Sequence, residues 1–264
     1  MHRTISRNMS NITTIIFDVD DTLYDVGTGF TASRNGQGSL TFMVSKLGFP
    51  SIEEAKVVRD EYFQLHHSTS KALTVAEQEG RLPAIEGAPT PRFHVEDLAE
   101  WWATNLDFQL LGGPNLQLKA DLEACPLQIV AFSNGPRKYV RRVLQELGVW
   151  ELFGEDGLFA VDDVLPHCKP EREAFQKIFD KFGVKGEECI MVEDSMKNIR
   201  KAKELGMRTV LVKGRQTVGT KASEATKAGD IPNDQDLAVD ISIDTINEFR
   251  ERTPGLWNTP ATFP

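Results

Sequence analysis

Phe17-Asp18-Val19-Asp20-Asp21-Thr22-Leu23-Tyr24 follows directly on the apolar run from Ile12 to Phe17. Side chains alternate along an extended backbone, so Asp18 and Asp20 project the same way from the end of a strand. Two carboxylates that close repel each other, and each needs a cation or a shared proton to stay there. The arrangement suits a carboxylate nucleophile beside a divalent metal, with the second carboxylate serving as acid and base. Three further polar groups stand where strands should end. Ser133-Asn134-Gly135-Pro136 offers a hydroxyl, an amide and helix N-terminal N–H groups, a set suited to a phosphate oxygen. Lys169-Pro170 supplies a point positive charge that can hold nucleophile and phosphate together. Glu193-Asp194-Ser195, with Asn198 one turn later, adds hard oxygen ligands suited to magnesium.

The elements that must position these groups read as an alternation of strands and helices. Thr13 to Asp18, Leu127 to Ser133, Leu158 to Val161, Cys189 to Val192 and Arg208 to Val212 are short, β-rich and bounded by polar residues or glycine. Tyr139, Val140, Val143, Leu144 and Leu147 make one helical face, stopped by Gly148. Ala174, Phe175, Ile178, Phe179 and Phe182 make a second before Gly183, and Ile199, Ala202 and Leu205 a third before Gly206. The pattern predicts an α/β fold, a doubly wound parallel sheet with its site at the carboxyl ends of the strands. Between the first two strands the spacing is helical only: Glu54, Val57, Val58, Glu61, Tyr62 and Leu65, then Leu98, Trp101, Trp102 and Leu106. A parallel crossover needs far less chain. Residues 31–114 are therefore predicted to form an all-helical cap inserted into a core of residues 12–30 and 115–264. Gly27, Gly29, Asn35, Gly36 and Gly38 are candidate hinge residues, Gly214 to Asp236 a surface loop, and the residues before Ile12 a frayed tail.

Composition narrows the partners. Acidic residues outnumber basic ones by 39 to 30, a formal charge of −9 that disfavours nucleic-acid polymers and anionic membranes. A small phosphorylated metabolite remains compatible, because a local cation inverts the field at a site. Cys125, Cys168 and Cys189 are odd in number and far apart, which fits a reducing, cytoplasmic setting rather than a disulfide or zinc framework. No apolar stretch approaches the length of a membrane span. A monomer or a homodimer is expected.

Taken in order, the four polar stations resemble the motifs of the haloacid dehalogenase-like hydrolase superfamily. Asp18-Val19-Asp20-Asp21-Thr22 is similar to its first motif, Ser133 to the second, Lys169 to the third and Glu193-Asp194 to the fourth. The resemblance implies phosphoryl transfer: Asp18 as nucleophile, Asp20 as acid and base, and Lys169 as the third catalytic group. It implies Mg²⁺ held by Asp18, the backbone carbonyl of Asp20, Glu193 and Asp194, and a phosphoryl group bound by Thr22, Ser133, Asn134 and Lys169. Dehalogenases of the superfamily usually carry a residue at the Asp20 position that cannot shuttle protons, so Asp20 favours a phosphatase or phosphomutase. Cys168-Lys169-Pro170, Asp194-Ser195 with Asn198-Ile199, Leu205 to Thr209 and the tail from Ile246 to Trp257 resemble the pyrimidine 5′-nucleotidase-like branch. That resemblance implies nucleoside 5′-monophosphates such as UMP or CMP, with pyridoxal phosphate, phosphoglycolate or a sugar phosphate as alternatives. The chain departs from the branch at Ser133-Asn134-Gly135, where Thr-Asn-Ala is common, and at His66-His67-Ser68-Thr69, where Tyr-Gly-Thr-Thr is common. Tyr24, His66 and His67 are the candidate specificity residues.

Other readings weigh against individual residues. Asp21 and Asp25 read as solvated or capping acids, Trp101 and Trp102 as cap core, and Cys168 as a small packing residue. His66 and His67 are adjacent and share no helix face, so they do not make a metal pair. A non-catalytic binding protein on the same fold is the competing reading, and it gives no reason to retain mutually repelling acids.

Overall fold

A computed structural model of the chain describes residues 11–87, 90–215 and 230–264. Six strands form one parallel sheet: β1 (Thr14–Phe17), β2 (Gln128–Phe132), β3 (Leu158–Phe159), β4 (Cys189–Glu193), β5 (Arg208–Val212) and β6 (Ile241–Ile243). Their order is β3-β2-β1-β4-β5-β6. Five were expected. The sixth is a three-residue edge strand, too short to show an alternation of its own. The third is shorter than expected, because Val161 already begins a helical turn, Val161–Val164. Residues 1–10 of the tail before Ile12 lie outside the described residues, as does most of the stretch expected to be a surface loop.

Successive residues of a strand feed opposite faces, and both faces are covered. Ile15, Phe17, Ile190 and Val192 pack with Tyr139, Val140, Val143 and Leu144 on one side. Ile16, Val130, Phe132 and Met191 pack with Ala174, Phe175, Ile178, Phe179 and Ala202 on the other. The helices supplying those faces are Arg137–Glu146, Arg172–Phe182 and Met196–Glu204. Each ends where sequence predicted, ahead of Gly148, Gly183 and Gly206, all at positive φ.

Between β1 and β2 the described residues form helices and no strand: Ser39–Leu47, Ile52–His66, Thr69–Gln78 and Val95–Asn105 are the longest. The Gly/Asn-rich approach that holds the candidate hinge residues is largely helical: Phe30–Ser33 runs into a π-helical stretch, Arg34–Gly38, interrupted at Gly36. In Ile52–His66 the spacing identified a helix but not its inner face. Val57 and Leu65 are each 65% exposed, while Ala55, Val58, Arg59 and Tyr62 are buried. Val57 and Leu65 share a stripe with Glu61, and the aliphatic stem of Arg59 takes the inward place instead. No helix among the described residues is long and apolar enough to cross a membrane.

Gly186 opens the turn Gly186–Glu188 that feeds β4. A Cβ there would stand 1.9 Å from the Leu205 carbonyl oxygen, a backbone atom that cannot swing aside. Gly186→Ala is therefore expected to destabilise the fold by roughly 1–3 kcal/mol, read as a lower denaturant midpoint at unchanged m-value.

Candidate active site

Sheet order brings the polar stations together. β2, β1 and β4 are neighbours, and Phe17 is in register with Ala131 on one side and Val192 on the other. Asp18 is thus level with Phe132 and Glu193, its N–H donating to the Val192 carbonyl at 2.9 Å. Parallel strands lie about 4.8 Å apart, so the side chains that follow the three strand ends converge.

Lys169 arrives from the loop after β3 and is 1% exposed. Its Nζ donates to Asp18 Oδ1 at 2.5 Å, the Phe132 carbonyl at 2.7 Å and Glu193 Oε2 at 2.9 Å. Those bonds account for all three ammonium protons. Burial works against the charged lysine, yet Asp18 and Glu193 hold its pKa above the usual range. Thr22 Oγ is positioned to donate to Asp18 Oδ2 at 3.3 Å and Asp194 Oδ1 at 3.4 Å. Asp18, Glu193 and Asp194 each present an oxygen within 4.8 Å of the others. Burial and the Glu193 charge push the Asp18 carboxyl up to about 8 against the pull of Lys169. Burial, Glu193 and Asp18 push Asp194 well above the carboxylate range. Three carboxylates against one ammonium leave a deficit that a divalent cation would fill, and the all-oxygen donor set fits a hard ion.

Asp20 occupies the same pocket, but strand alternation does not aim it. β1 ends at Phe17, and Asp20 lies in the turn beyond. Four donors hold its carboxylate instead. Oδ1 accepts from Tyr139 Oη at 2.5 Å and Tyr24 Oη at 2.7 Å. Oδ2 accepts from Arg34 Nη1 at 2.5 Å and Ser133 Oγ at 3.4 Å. Burial alone would raise its pKa, but the Arg34 charge and the tyrosine hydrogen bonds outweigh that and lower it. Sequence reasoning missed Arg34, a lone arginine in a stretch without helical periodicity, and saw Tyr139 only as part of a buried helix face.

The remaining candidates divide. Asp18, Asp20, Asn134, Lys169, Glu193, Asp194 and His67 line one cavity of about 190 Å³, with Phe63 and Lys197. Thr22 and Ser133 sit beneath its floor, buried. The Asn134 amide is committed elsewhere: its Nδ2 donates to the Lys169 carbonyl at 2.9 Å and its Oδ1 accepts from the Lys169 N–H at 2.9 Å. Tyr24 belongs to the support beneath Asp20, not to the helical insertion. His66 stacks on Tyr62 and does not line the cavity. His67 does, and its Nδ1 lies 3.3 Å from Lys197 Nζ. The segment carrying both histidines meets the sheet side partly through main-chain carbonyls, beside the ion pair of Lys71 with Glu171. Asn134 Nδ2 donates to the His67 carbonyl at 3.3 Å, Ser68 Oγ to the Asn134 carbonyl at 3.0 Å, and Cys168 Sγ to the His66 carbonyl at 3.3 Å.

Asp25 caps the turn Val26–Thr28 through the Gly27 N–H, as expected of it. Asp21 is neither solvated nor capping: it lines the cavity, one of its oxygens is buried without a partner, and burial raises its pKa. Its φ of 57° explains the residue type, since that left-handed turn admits aspartate, asparagine and glycine with least strain. A larger cavity of about 400 Å³ lies behind Tyr24 and Thr28, and its walls contain neither Asp18 nor Lys169.

No curated protein matches the sequence. Among solved structures, CbbY from Rhodobacter sphaeroides in complex with phosphate is 19% identical, with 90% of this chain and 96% of that one covered and a TM-score of 0.57. L-2-haloacid dehalogenase from Xanthobacter autotrophicus is 19% identical over 92% and 99% of the two chains, TM-score 0.56. A HAD phosphatase from Thermococcus onnurineus is 21% identical over 91% and 97%, TM-score 0.55. Likeness at such identities is one of fold. A family model, haloacid dehalogenase-like hydrolase, matches residues 12–206, which include all four polar stations. The chain belongs to the haloacid dehalogenase-like hydrolases.

Proposed function

We propose that the protein is a Mg²⁺-dependent phosphomonoester hydrolase that works through an aspartyl-phosphate on Asp18. The observation that carries this reading is the cluster of Asp18, Glu193 and Asp194, of which Asp18 and Glu193 pair with the buried ammonium of Lys169. Asp20 separates it from dehalogenation: a halide leaves carbon without a proton, whereas an alkoxide leaving phosphorus needs one.

In this reading an Asp18 oxygen attacks phosphorus, and the bond from phosphorus to the leaving oxygen breaks. Asp20, which enters this step protonated against the pull of Arg34 and the two tyrosine hydroxyls that lowers its pKa, gives that oxygen its proton. Asp20 then takes a proton from the water that attacks the aspartyl-phosphate, which releases phosphate and restores Asp18. Lys169 holds Asp18 in its attacking orientation and offsets charge gathering on the phosphoryl oxygens. Thr22 and Ser133 offer hydroxyls to that group, and Asn134 fixes the Lys169 loop. A bound Mg²⁺, held by Asp18, Glu193, Asp194 and the Asp20 carbonyl, supplies further neutralisation of the phosphoryl group. Positioning and charge compensation dominate this chemistry, and the site is made of both.

The branch resemblance points to nucleoside 5′-monophosphates, with the helical insertion acting as a cap and His67 and Phe63 facing the leaving group. A second reading has its own support. The cavity of about 190 Å³ is below the roughly 300–1,000 Å³ common for ligand pockets, which favours a compact ester such as phosphoglycolate or a sugar phosphate.

Asp18→Asn is expected to cut Mg²⁺-dependent phosphate release by on the order of 10³-fold or more; turnover equal to that of the wild type would overturn the mechanism. Mg²⁺ at a hundredfold over its Kd should add about 2.7 kcal/mol of stability. A thermal-shift titration reads this directly, and the shift should vanish in Asp194→Asn. Across UMP, CMP, AMP, pyridoxal phosphate, phosphoglycolate and glucose phosphates, the nucleotide reading expects kcat/KM to be highest for UMP or CMP. A lead by phosphoglycolate would transfer the assignment to compact esters.

A further inference from the structure

Arg34 belongs to the helical insertion, 8% exposed, yet it bonds to the acid–base carboxylate at the end of β1. Its guanidinium lies 5.1 Å from the Trp102 ring centroid and 5.0 Å from that of Tyr139. Trp102 comes from the insertion and Tyr139 from the helix that follows β2. The two rings fix the plane of the guanidinium independently of Asp20, a use for which a planar, delocalised cation is suited and an ammonium is not. The same Nη1 that holds Asp20 also donates to Tyr139 Oη at 2.9 Å. Tyr139 Oη in turn donates to the other oxygen of Asp20, and Tyr24 Oη joins it there, 2.7 Å from Thr31 Oγ of the insertion.

These contacts form a closed ring: Arg34 to Oδ2, Tyr139 and Tyr24 to Oδ1, Arg34 to Tyr139. A carboxylate on a turn has two side-chain torsions to settle. Here both are settled by donors that are themselves packed in place, and without Arg34 one oxygen of the pair would keep only the long 3.4 Å contact with Ser133.

We infer that Arg34 is a positioning residue, through which the helical insertion aims Asp20 at the leaving oxygen. The inference rests on the hydrolase reading above. It makes the insertion part of the acid–base apparatus as well as the wall that meets the leaving group.

The experiment compares kcat/KM for phenyl phosphate and p-nitrophenyl phosphate, esters of similar shape. kcat/KM reports steps up to departure of the leaving group, and p-nitrophenolate departs with little need of a proton. A well-placed general acid contributes about 10²–10⁴-fold, so Arg34→Met is expected to cost phenyl phosphate roughly 10–100-fold and p-nitrophenyl phosphate less than about 3-fold. Asp20→Asn should show the same selectivity more strongly, and Arg34→Lys should fall between wild type and Arg34→Met. Tyr24→Phe and Tyr139→Phe, each removing one hydroxyl, should show a smaller selective loss and serve if Arg34→Met does not fold. Equal losses on both esters, or no loss on either, would overturn the inference. If the wild type releases phosphate from neither ester in an Asp18-dependent way, the hydrolase reading falls and the inference with it.

Discussion

Lys169 Nζ meets Asp18, Glu193 and the Phe132 carbonyl with almost no contact with solvent, and Asp194 stands beside them without an ammonium of its own. Removing such charges from water costs several kcal/mol per ion in real proteins, and an apolar set of similar volume is often at least as stable. The cluster is therefore a poor device for stability. Its excess negative charge makes sense as a demand for a cation. Much of the surrounding construction serves to keep these groups close despite their repulsion. Asn134 clamps the loop that delivers Lys169, Thr22 is placed to bridge Asp18 and Asp194, and the Ser195 N–H donates to Glu193 Oε1 at 3.2 Å.

The sheet makes the crowding possible. Because β2 and β4 flank β1, three loops leave side by side, and the chain turns outward in both directions from that point. The long excursion between β1 and β2 then returns over the same place. Its residues meet the sheet side through carbonyls of His66 and His67 near Asn134 and Cys168, through side-chain pairs such as Lys71 with Glu171 and Trp102 with Tyr139, and through Arg34 at Asp20. Of these, Arg34 reaches the carboxylates of the site.

Much of this was legible in the sequence, for physical reasons that differ by element. The helices after β2, β3 and β4 announced themselves because one face of each is buried and a glycine closes each turn. Asp18, Lys169, Glu193 and Asp194 were legible as charges at strand ends, where a charge needs a reason. The inner face of Ile52–His66 was not, because Arg59 goes inward while Val57 and Leu65 face out. β6 was missed because three residues carry no period. Arg34 was illegible for a deeper reason. Its partners Asp20 and Tyr139 are 14 and 105 residues away, and no local pattern encodes a pairing at that range. Tyr24 and His66 are different: each meets a residue only four positions back, Asp20 and Tyr62, and residue type alone does not tell such a supporting contact from a role in specificity.

The insertion docks beside the site in part through the peptide backbone: the carbonyls of His66, His67 and Asn134 accept three of the hydrogen bonds that join the two sides. A main-chain carbonyl is the same whatever side chain its residue carries. Evolution can therefore exchange the imidazole of His67, which looks into the cavity, for another group without giving up the hydrogen bond its carbonyl receives. Change at the cavity wall and selection for correct assembly act on separate atoms of the same residue, which lets one scaffold vary the group that faces its cavity while the contact that seats the segment is inherited intact.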